Sequence, residues 1–110
     1  MSYIPSAESH ATVLTADGAG ACNAGPFKLG SFFRGISFTF AYAGAGTPAI
    51  EVLVSNNPLA VFAGGRVLQT GLNKLSQFSS EARFDNYWIK VTGMIASDAE
   101  ALTIYSHRWP

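Results

Sequence analysis

Two segments, Ile50-Glu51-Val52-Leu53-Val54-Ser55-Asn56-Asn57-Pro58 and Tyr87-Trp88-Ile89-Lys90-Val91-Thr92-Gly93, are β-branched and aromatic runs that stop abruptly at turn formers. Side chains of this kind fit a pleated, half-buried surface. Asn and Gly accept turn dihedrals and Pro cannot donate to a ladder, so each run has a physical end. A chain punctuated like this has little choice but a sheet.

The remaining sequence repeats the pattern. Ile36, Phe38, Phe40 and Tyr42 alternate with Ser37, Thr39, Ala41 and Ala43, the signature of a strand with one large apolar face. Ala43-Gly44-Ala45-Gly46-Thr47-Pro48 then supplies a turn, so residues 36–42 and 50–55 are expected to form a hairpin. Shorter runs at 10–15, 27–33, 61–63, 67–69 and 102–107 read as further strands, with Leu102 and Ile104 inward. Residues 16–26, rich in Gly and Ala and closed by Gly25-Pro26, read as a long loop. Residues 71–80 are polar and ambiguous, and 97–100 read as a turn. About eight short strands with regular turns predict one all-β domain over residues 1–110. It is an antiparallel β-sandwich of jelly-roll or Greek-key type, with residues 1–9 as an extended arm and 108–110 as a short tail.

Composition narrows the function. At 110 residues the chain buries a sizeable core without disulfides or metals. Charged residues are 13% of it, about half the usual share, so Ser, Thr, Asn, Gly and Ala must build much of the surface. Such a surface suits a protein packed against others. Seven basic and seven acidic residues cancel, and no basic residue adjoins another. Counterion release needs clustered positive charge, so no direct nucleic-acid contact is expected. The beginning Met1-Ser2-Tyr3-Ile4-Pro5 lacks the pattern of a signal peptide, and no run reaches the length of a membrane span. The expected setting is a cytoplasm, with no membrane contact.

No catalytic set emerges. Glu51 lies mid-strand, while Asp17, Glu81, Asp85, Asp98 and Glu100 sit in or beside turns, where acids serve the backbone. His10 and His107 stand near opposite ends without a ligand pattern around them. Cys22 lies among small residues without a basic neighbour to activate it. No serine occupies a Gly-x-Ser-x-Gly elbow, and the glycine pairs around Ala19 and Ala45 lead into no lysine-bearing helix. No enzyme, cofactor or metal is expected.

Aromatic residues carry the interaction readings. Phe32 and Phe33 point to opposite sides of an extended chain, so one ring is expected to meet something beyond its own core. Trp109 anchors a tail, and Tyr3, Ile4 and Pro5 belong to the arm; these six residues are the expected interface. Tyr87 and Trp88 offer the alternative, a stacking platform in a carbohydrate-binding module such as that of a tail fibre.

The stretches Ala24-Gly25-Pro26-Phe27-Lys28-Leu29-Gly30, Ile36-Ser37-Phe38-Thr39-Phe40, Ile50 to Pro58, and Arg83-Phe84-Asp85-Asn86-Tyr87-Trp88-Ile89-Lys90-Val91-Thr92-Gly93 resemble small β-sandwich proteins encoded beside phage capsid genes. The likeness spans roughly residues 24 to 93, and Asn57-Pro58 stands where that family has Asp-Gly. The resemblance implies a head decoration or cement protein, or another virion accessory. Such a protein assembles in the host cytoplasm, forms a homo-oligomer with a trimer favoured, and contacts the major capsid protein or another virion protein.

Overall fold

In the computed structural model Ile36, Phe38 and Phe40 are buried while Thr39 and Ala41 are exposed, as their alternation demands. The structure describes residues 8–15, 20–73, 76–81, 84–95 and 101–110. Within them run β1 (Glu8–Thr15), β2 (Cys22–Lys28), β3 (Gly35–Tyr42), β4 (Ala49–Ser55), β5 (Arg66–Leu72), β6 (Gln77–Ser80), β7 (Asn86–Thr92) and β8 (Ala101–Trp109), with a single 3-10 turn at Phe62–Gly64.

The strands form two antiparallel four-stranded sheets, β1-β8-β3-β6 and β2-β7-β4-β5. Four of the pairings are nested: β1 with β8, β2 with β7, β3 with β6 and β4 with β5. The chain is thus a long doubled ribbon, rolled until β8 also meets β3 and β7 also meets β4. That is a jelly roll.

The core lies between the sheets. Phe38 sits at its middle, with Phe27 edge-on at 5.1 Å, Phe78 stacked at 6.0 Å and Tyr87 tilted at 6.3 Å between ring centroids. Ile50, Val52 and Val54 come from β4, Ile89 and Val91 from β7, and Leu102 and Ile104 from β8; each is essentially sealed. Each large side chain so buried stabilises by roughly 1.5–3 kcal/mol.

Several expectations change. β3 and β4 are not a hairpin: they belong to different sheets, and residues 43–48 carry the chain from one to the other. The expected loop contains a strand, Cys22–Lys28, which pairs with β7. In it, the three residue steps from Ala24 to Phe27 oppose the two from Ile89 to Tyr87, a bulge that keeps both Ala24 and Phe27 on the core side. Residues 29–33 lie beyond that strand, and the ambiguous 71–80 stretch contains the end of β5 and β6, which drives Phe78 into the core. Glu8 and Ser9 belong to β1, and Arg108 and Trp109 to β8, so the sheet claims the inner end of the arm and most of the tail. The turn expected at 97–100 lies outside the described residues.

Candidate interaction surfaces

Alternation along β7 sends Tyr87, Ile89 and Val91 inward and Trp88 and Lys90 to the outside of the sandwich. Tyr87 is 0% exposed in the core and Trp88 only 2%. Trp88 faces Leu53 across β4 and β7, with Gly25 and Gly65 against its ring. Neither residue presents a ring to solvent, so the alternative of a stacking platform finds no exposed ring there. An outward Trp in the pattern is not an exposed Trp when the chain covers its own sheet.

The expected interface residues fare differently from one another. Phe32 is 62% exposed, whereas Phe33 is buried with the Arg108 guanidinium 4.6 Å above its ring centroid. The adjacent rings do point opposite ways, and Phe32 is the outward one. Trp109 packs on its own chain: it pairs with Gly35 across β8 and β3, and its carbonyl accepts a hydrogen bond from the Arg34 amide at 2.9 Å. Tyr3, Ile4 and Pro5 lie outside the described residues.

Between the edge strands β1 and β2 lies a groove of about 490 Å³, lined by His10, Thr12, Phe27, Lys28, Ser106 and Arg108 among others. Of the lining residues, Arg108 makes several contacts. It hydrogen-bonds the Glu8 carboxylate and donates to the Lys28 carbonyl at 2.7 Å, tying the two sheets together. His10 Nε2 stands 3.7 Å from the same carboxylate. Among the described residues no three His, Cys, Asp or Glu side chains converge as metal ligands would. Cys22 is half-buried, with its Sγ 3.8 Å from Met94 Sδ.

The connection from β4 to β5, where the sequence predicts a strand at 61–63, holds the 3-10 turn Phe62–Gly64 instead and, among the described residues, carries the most exposed apolar side chains. Leu59 is 87% and Val61 67% exposed, and Val67 at the start of β5 is 46% exposed. The signal was present as Pro58-Leu59-Ala60-Val61, apolar residues in a segment too broken by Pro and Gly to be a strand interior.

Fold and strand order together define a jelly-roll domain. No family model matches the chain, and no curated protein sequence does. Among solved structures, the SPBc2 prophage-derived protein YomS is similar over 94% of this chain and 96% of its own, with a TM-score of 0.56 and 12% identity. A protein of Bacillus endospore appendages, described as disulfide-linked pili, matches over 94% of this chain and 85% of its own (TM-score 0.45, 21% identity). PliG of Aeromonas hydrophila, a periplasmic inhibitor of g-type lysozyme, covers 94% and 86% (TM-score 0.46, 10% identity).

Proposed function

We propose that this protein is a non-enzymatic virion component, a capsid decoration or cement protein that binds the major capsid protein and stabilises the shell. In this reading it assembles in the host cytoplasm, works as a homo-oligomer and ends in the virion. The observation that carries the reading is a fold shared from end to end with a prophage-derived protein. Exposed apolar side chains at Phe32, Leu59 and Val61 support it, because such residues anchor protein contacts.

The test is co-sedimentation of the purified protein with shells of the phage that carries the gene. Saturable binding at a fixed ratio to the capsid protein, and shells that resist heating better when decorated, are expected. Shells that neither bind the protein nor gain stability would overturn the proposal. Leu59→Asp with Val61→Asp is expected to weaken binding at least tenfold while leaving the fold intact.

A further inference from the structure

Alternation fixes what each sheet shows to the outside. On the sheet β2-β7-β4-β5 the outward positions include Glu51 and Lys90, directly opposed across β4 and β7, and the covered pair Leu53 and Trp88. The outer face of β1-β8-β3-β6 is different. Its central row runs Ala11, Tyr105, Thr39 and Gln77 across all four strands. The next row is Ser9, His107, Ser37 and Ser79, with Ser9 Oγ 2.8 Å from His107 Nδ1. Val13, Thr103 and Ala41 form a third. Among the described residues of this face there is no Asp, Glu, Lys or Arg. The charged residues of β1 and β8, Glu8 and Arg108, turn instead toward the groove, and Arg34 and Glu81 sit with Trp109 at the rim.

We infer that this face binds a second copy of the same chain, packing sheet against sheet about a two-fold axis. Depletion of charge at the centre with a polar rim is the compositional mark of an interface. A neutral face is also its own complement, since pairing it with itself opposes no like charges. Its size fits. Four strands about 4.8 Å apart and runs of about seven residues make a plate of about 19 by 23 Å. With side-chain relief, such a plate buries roughly 600–800 Å² per copy, against about 800 Å² per partner in a standard interface. Small Ser, Thr and Ala side chains let two sheets approach to about 10 Å. Tyr105, 50% exposed on the central strand β8, and Val13, 63% exposed, are the apolar anchors. The same patch on both copies closes at two, unlike the trimer that the family resemblance implies, which needs two different patches. The opposite side, with Leu59 and Val61, stays open for a further partner. The pairing stands independently of what that partner is.

Light scattering after size exclusion, loaded at about 100 μM so that a micromolar interface is occupied, tests the pairing. The expected mass is twice 11.7 kDa. Thr39→Lys places a charge at the centre of the face and its symmetry mate close by, and is expected to elute at the monomer mass with unchanged near-ultraviolet circular dichroism. Thr92→Lys, on the other sheet, is expected to remain dimeric. Ala11→Lys on the edge strand serves as a second disrupting variant should Thr39→Lys not fold, because edge strands accept lysine. A wild-type monomer or trimer, or folded face variants that stay dimeric, overturns the inference.

Discussion

Leu53 and Trp88 stand directly opposite each other on the outside of the sandwich, yet they are 7% and 2% exposed. The chain buries them by running from β4 back to β5 over its own sheet, which brings Gly65 against both side chains. A small apolar cluster thus sits outside the core between the sheets. Trp88→Ala is expected to cost about 3–5 kcal/mol and Leu53→Ala about 2–5 kcal/mol in urea unfolding. The double variant should cost less than the sum, since each leaves a cavity the other shares. A loss under about 1 kcal/mol for Trp88→Ala would show that the indole is not packed there.

Gly25 makes that packing possible. Its φ of +128° is one that side chains rarely adopt, and a Cβ there would stand 2.8 Å from both Trp88 Cδ1 and the Tyr87 carbonyl oxygen. Gly25→Ala is expected to destabilise by about 1–3 kcal/mol, with tryptophan fluorescence shifted to the red. Unchanged stability and fluorescence would mean that the bulge relaxes without cost.

The strand ends meet at an asparagine corner. Asn86, 2% exposed, donates through Nδ2 to the Ser55 and Asn57 carbonyls at 3.2 and 3.3 Å, and Asn56 Oδ1 accepts from the Asp85 amide at 2.8 Å. Asn86→Ala removes both bonds, although the Asn57 carbonyl keeps the Ala60 amide at 3.0 Å, and should cost about 1–3 kcal/mol. Asn86→Asp removes the donor as well, and burial of its charge makes it the worse substitution at neutral pH. The reverse order of stabilities in thermal melts would contradict this assignment.

Gly35 is where Trp109 rests, so any side chain on residue 35 displaces the ring. Gly35→Val is expected to cost about 1–3 kcal/mol and to speed hydrogen exchange at the Arg34 amide, which donates to the Trp109 carbonyl. Exchange unchanged at that amide would place the strain elsewhere.

Strand interiors with clear alternation, β3, β4, β7 and β8, were legible because period-two burial is local. β2 was not: Cys-Asn-Ala-Gly-Pro-Phe-Lys has weak strand propensity, and its pairing with β7 across the bulge supplies what propensity lacks. β6 was hidden for a related reason, one Phe among Gln and Ser. Phe32 is exposed and Phe33 buried, but in a turn beyond β2 rather than on the extended chain that alternation assumes. That Trp88 is covered on the outer side of its sheet is not legible locally, because Gly25 and Gly65, distant in sequence, close against its ring.

The order of residues alone determined an all-β sandwich, the inward face of its best strands and a surface poor in charge. Those properties depend on side-chain type and on alternation between neighbours. Tertiary structure alone decided that β3 and β4 part company, that Trp88 is sealed, and that the described residues of one outer face include no Asp, Glu, Lys or Arg. Partner choice is made between strands far apart in the chain, and alternation records which side a residue faces but never what stands beside it.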